Sequence, residues 1–260
     1  SRKEVASVQA GTRDDATSEY EMTHDERAVQ QELSAWIRGD FEFGTTFSYR
    51  LPGASSQFAV GTPIPSPAAV KLALVAATIH EAGDVSYGER IFDIVRDCPV
   101  YFGLPERVTR FRAFSKRLKP SKEGEFLEST GSRDYFLFAS PLEVYVRASR
   151  DDAGIVENLL HRIRRFGTTD SLCWCTTVER QSPDPRRCAV PLNEVADHLH
   201  EETRTLVSLL DLSRAATFQQ IDPFRQGRQR GDPFVRVPYA LPLQVESSGT
   251  NWTILVRREA

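Results

Sequence analysis

Apolar and polar residues first alternate in a regular way at Leu33, Ala35 and Ile37, interleaved with Ser34, Trp36 and Arg38, which predicts a strand from Leu33 to Phe43. A loop with hydroxyls and aromatics follows, Gly44 to Gly53. The alternation then gives way to a solid apolar block, Ala68 to His80, with Lys71 its one charge. A stretch that is apolar on every side predicts a buried helix. Its ends are punctuated. Pro63 and Pro65 hold the approach extended, Ser66 offers a side-chain cap, Pro67 takes the first helical position, and Gly83 stands where a left-handed residue ends a helix. At roughly 16 residues this helix is too short for a bilayer span, which needs about 20.

Ser86 and Glu89 offer a capping box to a second helix over Ser86–Arg96, with Ile91, Ile94 and Val95 on one face. Cys98–Leu104 predicts a strand, and so does the segment from Arg107, with Arg110 and Arg112 on one face and Phe111 and Ala113 on the other. Residues 123–132 predict a loop, and Tyr135–Phe138 and Leu142–Val146 two strands separated at Ser140-Pro141. Asp151 and Asp152 open an amphipathic helix that turns Ile155, Val156, Leu159, Leu160 and Ile163 inward. His161, Arg162, Arg164 and Arg165 crowd its last turn and Gly167 ends it, as the helix dipole prefers. Then come a strand at Leu172–Val178, a loop over 181–188, a short helix at Asn193–Glu202, a strand at Thr205–Leu210 and a loop at Arg225–Gly231. Phe234–Val245 and Trp252–Val256 read as a terminal hairpin. This order of elements is a split β-α-β plan: an α+β fold with a ferredoxin-like, RRM-like sheet and helices on one face.

Charge divides the 260 residues unevenly. Residues 1–32 hold eight acids against four bases, a net of −4, and predict an acidic flexible extension, whereas the whole chain sums to −3. Residues 33–180 form the expected main domain and 181–260 a smaller β-rich part. Within the main domain the bases cluster: Arg107, Arg110, Arg112, Lys116, Arg117, Lys119 and Lys122 occur with no acid among them. Clustered cations beside Phe111 and Phe114 are the materials for phosphate neutralisation and base stacking. The helix start at Ser66, with Lys71 one turn in, offers free N–H groups to a phosphate.

Other chemistry finds less support. No phosphate-cradling or dinucleotide glycine signature is present. Cys173 and Cys175 flank Trp174 on a strand, which makes them two core thiols rather than metal ligands, and His198 and His200 point apart on a helix. Neither a metal nor a cofactor is expected, and no catalytic set is assigned, although His80, Tyr49 and Lys116 are groups a metal-independent ribonuclease would use. Cys98, Cys173, Cys175 and Cys188 show no secreted framework, and with no signal peptide or membrane span visible a reducing cytoplasm is the expected compartment.

The Gly61-Thr-Pro-Ile-Pro-Ser-Pro-Ala-Ala-Val-Lys approach to an apolar helix, the Arg-rich strand after it, the Arg133-Asp-Tyr-Phe-Leu-Phe strand and the Arg165-Phe-Gly-Thr-Thr-Asp-Ser-Leu172 junction together resemble one family. It is the Cas-five family of RAMP proteins, which caps the 5′ handle of the guide RNA in type I CRISPR Cascade complexes. The resemblance covers roughly residues 33–180. It implies a ferredoxin-like palm with a β-hairpin thumb at about 105–135, and a non-catalytic subunit that binds the crRNA 5′ handle. It also implies contact with the backbone and large subunits and with target DNA near the PAM-proximal end, and none with a membrane. In one subtype a member cleaves precursor RNA, which is the alternative reading. Carried over by position, the RNA grip comprises Gly44, Thr45, Thr46, Tyr49, Ser66, Lys71, Arg107, Arg110, Arg112, Lys116, Arg117 and Lys119.

Overall fold

Strand β1 (Ser34–Phe43) buries Ile37 and Phe41 on one side and turns Arg38 and Asp40 to the other. The computed structural model describes residues 33–55, 57–121, 124–167, 171–195, 205–222 and 231–257, with only the backbone of Arg117 and Lys119. The acidic extension and the Arg225–Gly231 loop fall outside the described residues, except for Gly231, and so does most of the Asn193–Glu202 segment.

Two sheets make up the mixed α+β fold. After β1 come the two-residue β2 (Phe58–Ala59), α1 (Pro67–Ala82), α2 (Ser86–Val95), β3 (Val100–Gly103), β4 (Arg107–Pro120), β5 (Phe126–Phe138) and β6 (Leu142–Ser149). Then follow α3 (Ala153–Leu160), β7 (Cys173–Arg180), β8 (Cys188–Pro191), β9 (Thr205–Leu212), α4 (Phe218–Ile221), β10 (Phe234–Leu241), β11 (Leu243–Ser248) and β12 (Trp252–Arg257). The larger sheet has the order β7-β1-β6-β3-β8-β10-β9 with every pair antiparallel. The smaller has the order β11-β12-β4-β5-β2, antiparallel but for β2 beside β5. One apolar core joins them to the helices. Ile37, Val144, Val146 and Phe102 from the large sheet meet Val70 and Leu74 of α1 and Val156 and Leu160 of α3.

Helix α1 forms as its punctuation predicts. The Ser66 hydroxyl accepts from the Ala69 N–H at 3.1 Å, and Gly83 closes the helix in the left-handed region at φ 67°. At α2 the expected capping box does not form, because Ser86 is already helical and its N–H is taken by the Asp84 carboxylate at 2.9 Å. The expected 123–132 loop is strand from Phe126 onward, paired residue for residue with β4 from Pro120 back to Phe114. Cross-strand hydrogen bonds outweigh the polar, glycine-containing composition of that stretch. The terminal hairpin is shorter than its pattern. Pro242 breaks Phe234–Val245 in two, sending β10 to the large sheet and β11 to the small one. Helix α3 stops at Leu160, short of the basic turn around Arg164.

Candidate nucleic-acid interface

The segment from Gly44 to Arg50 ties three parts of the molecule together. Phe47 is fully buried among Phe43, Tyr49, Phe136 and Phe138, and its backbone bridges to Phe136 on β5 with hydrogen bonds of 2.9 and 2.8 Å. Ser48 sends its N–H to the Ser171 hydroxyl (3.1 Å), which donates back to the Ser48 carbonyl (3.0 Å), while the Ser48 hydroxyl donates to the Asp134 carbonyl (2.9 Å). Gly44 donates to the Leu172 carbonyl at 3.2 Å, and Tyr49 pairs its hydroxyl with that of Ser66 at 2.6 Å. The loop thus ties the α1 entrance, Ser171–Leu172 and the base of the β4–β5 hairpin together. Burial pushes the Tyr49 phenol above its usual range, so it is neutral and can donate to Ser66.

Between α1 and the turn after α3 lies an open cleft of about 910 Å³. Tyr49, Ser66, His80, Arg162, Arg164 and Arg165 line it. Arg162 pairs with Glu81, and Arg164 donates to the His161 and Ile163 carbonyls at 2.7 and 3.2 Å, closing the end of α3. Arg165 is exposed and has no carboxylate partner among the described residues. The cleft is therefore electropositive at its Arg164–Arg165 end. The sequence placed these arginines at a helix C-terminus but did not assign them to a site; the signal was their position across from Tyr49, which only the fold supplies.

The structure divides the expected grip residues. Tyr49 and Ser66 meet at the cleft, and Gly44 lies beside Leu172 on its rim. Thr45 is exposed and Thr46 half-buried in the same loop. Ser66 is 1% exposed with its hydroxyl engaged by Tyr49 and Ala69. Lys71 corrects the expectation of a phosphate contact: it is 2% exposed, its ammonium 2.7 Å from Asp211 and 2.8 Å from the Arg96 carbonyl. The apolar block draws its one charge inward, where β9 supplies a carboxylate. Burial raises the Asp211 carboxyl despite Lys71 beside it.

On the hairpin, Arg112 holds the fully buried side chain of Asp134 at 2.9 Å, and Asp134 also accepts from the Gly61 N–H at 3.1 Å. Arg112 therefore serves the fold first, and only its exposed part faces outward. Arg107 pairs with Glu246 (2.9 Å) and Lys116 with Glu128 (2.6 Å). Arg110 has no carboxylate partner among the described residues, and the side chains of Arg117 and Lys119 lie outside them. Phe111 and Phe114 lie on opposite faces of β4: Phe111 stacks on Tyr135 with centroids 5.6 Å apart, whereas Phe114 is 70% exposed.

Cys173 is buried, Cys175 half-buried and Trp174 exposed between them, as the strand alternation predicts. Burial pushes the Cys173 thiol up to about 12 and that of Cys175 to about 11. No group of three or more metal-ligating side chains occurs among the described residues, and no described helix is long and apolar enough to cross a membrane.

A two-sheet α+β protein with a long cationic hairpin and a basic cleft is the class these features define. No family model matches the chain. The CRISPR-associated protein Cas5 of Archaeoglobus fulgidus is 32% identical to it over 226 residues, 85% of this chain and 97% of that protein. Among solved structures, a CRISPR protein from Archaeoglobus fulgidus aligns over 86% of this chain and 92% of its own, with 14% identity and a TM-score of 0.42. A chain of a CRISPR RNA-guided surveillance complex aligns over 80% and 90%, with 14% identity and a TM-score of 0.38. The identity to Cas5 over nearly the full length of that protein places the chain in the Cas5 family of CRISPR-associated proteins.

Proposed function

We propose that this chain is a non-catalytic subunit of a type I CRISPR effector complex, where it binds the 5′ handle of the crRNA. It contacts the adjacent backbone and large subunits and supports RNA-guided DNA targeting next to the PAM-proximal end of the target. The observation that carries the reading is the electropositive cleft at Arg164–Arg165, fastened through the Gly44–Arg50 loop to the cationic hairpin. Family membership adds to it. On this reading residues 33–180 are a ferredoxin-like palm with a thumb at β4–β5, 181–260 a β-rich elaboration, and 1–32 an acidic extension. The antiparallel order β7-β1-β6-β3, built from two strand-helix-strand halves, supports the palm.

Separation of the ionisable groups favours the non-catalytic role. Tyr49 meets α1 at Ser66, and His80 stands fourteen residues further along the same helix, roughly 21 Å away at 1.5 Å per residue. Lys116 is on the hairpin, engaged by Glu128. Three groups so placed do not converge on one scissile phosphate, which needs them within hydrogen-bond reach.

The test is RNA recovered with the native complex and binding of the purified chain. Handle-bearing RNA is expected to bind more tightly than a scrambled sequence, with affinity falling steeply with salt. Equal affinity for the two removes handle recognition. Incubation with repeat RNA in EDTA is expected to leave the RNA intact; a discrete cut lost in His80→Ala would establish the ribonuclease alternative instead.

A further inference from the structure

The small sheet has a surface that the cleft does not use. Trp252 on β12, Phe111 on β4 and Tyr135 on β5 stand directly opposite one another in the strand registers. Directly paired residues of antiparallel strands project on the same side, so the three rings form one row across the sheet. Phe111 and Tyr135 are already stacked, with ring planes 22° apart. Trp252 is 44% exposed and Leu137, the next residue of this face on β5, 46%. The indole lies against Gly249, where a Cβ would stand 2.5 Å from Nε1, so the β11–β12 turn is shaped to the ring.

Charge is sorted between the two faces. On the face of the aromatic row, β4, β5 and β12 carry no aspartate or glutamate; its described charges are Arg107 and Arg133. The acids of β5, Glu128 and Asp134, lie on the opposite face, each paired with a base of β4. Glu246 on the edge strand β11 is engaged by Arg107. Aromatic rings bordered by arginine and cleared of acids fit a polyanion with stackable bases.

We propose that Trp252, Phe111 and Tyr135 are a stacking platform for the bases of single-stranded RNA, with Arg133 meeting a backbone phosphate. This rests on the reading of the chain as an RNA-binding subunit and adds a base-stacking face on the side of the hairpin sheet opposite Arg110 and Arg112.

The test uses the full chain and a fluorescein-labelled, mixed-sequence single-stranded RNA. Trp36→Phe and Trp174→Phe leave Trp252 the sole tryptophan of the three. Its emission is expected to be quenched in step with the anisotropy rise. In the otherwise unmodified chain, Trp252→Leu, Phe111→Leu and Tyr135→Leu keep an apolar strand residue and are each expected to weaken binding roughly 5- to 150-fold, with the salt slope unchanged. Arg133→Gln is expected to lower that slope by about one. RNA binding that is unaltered in all three leucine variants, with Trp252 emission unchanged, overturns the platform and leaves the RNA-binding reading standing. Failure of the parent chain to bind any RNA overturns both. Leucine variants that lose assembly with partner subunits while keeping RNA affinity overturn the platform and make the face a protein contact.

Discussion

Tyr49 lies across Gly167 so closely that a Cβ at that glycine would stand 2.8 Å from one ring carbon and 3.0 Å from another. Gly167 is also in the left-handed region, at φ 72°. Both constraints act on one position, and the ring they admit is the one whose hydroxyl reaches Ser66 at the α1 entrance. Gly167→Ala therefore strains the backbone by about 1–2 kcal/mol and displaces Tyr49 as well. We expect a lower melting temperature together with weaker handle binding, read by thermal denaturation and by RNA anisotropy. Tyr49→Phe keeps the ring and removes only the hydroxyl pair; it is expected to cost about 1 kcal/mol of stability.

Lys71 and Asp211 form an ion pair that the fold draws away from solvent on the Lys71 side. Lys71 is 2% exposed, so Asp211→Ala leaves a buried ammonium whose remaining polar partner among the described residues is the Arg96 carbonyl. Breaking one side of such a pair costs about 3 kcal/mol or more, whereas replacing both sides by apolar residues is often close to neutral. Chemical denaturation is expected to show a large loss for Asp211→Ala and recovery of most of it in Lys71→Met/Asp211→Leu. RNA affinity of the double variant is expected to equal that of the parent. A loss of affinity there, with stability intact, would return Lys71 to the RNA site.

All four cysteines are in environments that disfavour the thiolate. Burial pushes the Cys98 and Cys175 thiols up to about 11 and those of Cys173 and Cys188 to about 12. A thiol at about 11 is ionised on the order of one part in a thousand at pH 8, so reaction with a disulfide reagent is expected to be slow until the protein unfolds. The same shifts fix the direction of a pH effect. The native state holds these protons more tightly than the unfolded chain, whose thiols ionise near the ordinary value of about 8.5. Their contribution is complete below that pH and is lost as pH rises toward about 11–12. Thermal melts between pH 7 and pH 10 are expected to show falling stability, and a flat profile would contradict this account.

Local signals predicted α1, α2 and α3 and most strands because those residues answer to their neighbours, whereas the short helix α4 went unpredicted. Ser66, Pro67 and Gly83 punctuate α1 with no help from the rest of the chain, and Ile155, Val156 and Leu159 repeat at helical spacing. What escaped the sequence depends on residues far away in it. Phe126–Ser132 becomes strand because it faces Phe114–Pro120 across a hairpin. The Leu241-Pro-Leu243 break sends two strands to different sheets. Of the expected grip residues, Tyr49 and Ser66 come together through a hydrogen bond that no local pattern announced. Lys71 lost its expected role to a carboxylate 140 residues downstream, which no spacing rule reaches. Arg165, placed by its sequence only at a helix end, joins the cleft because Tyr49 lies across from its turn.

Arg110 and Arg112 are two residues apart on β4 and side by side on one face, yet they should behave differently when changed. Arg112 donates through Nε and a terminal nitrogen to Asp134 at 2.9 and 3.3 Å, and Asp134 is also the acceptor that anchors Gly61. Arg112→Ala strips a fully buried carboxylate of its cation. Because the Arg112 side chain is 44% exposed and water can partly replace it, the cost is expected to be about 2 kcal/mol, below that of a fully buried pair. Arg110 has no carboxylate partner among the described residues, so Arg110→Ala is expected to leave the unfolding free energy within about 0.5 kcal/mol of the parent. It should weaken RNA binding almost uniformly across sequences and lower the salt slope by about one, the signature of a lost phosphate contact. Arg112→Ala/Asp134→Asn separates the two roles of Arg112. If it recovers stability but still binds RNA weakly, the exposed edge of that guanidinium also meets the RNA; if it recovers both, Arg112 acts only as the clasp between β4 and β5. Should Arg110→Ala leave both the affinity and the salt slope unchanged, the RNA does not cross this face of the hairpin.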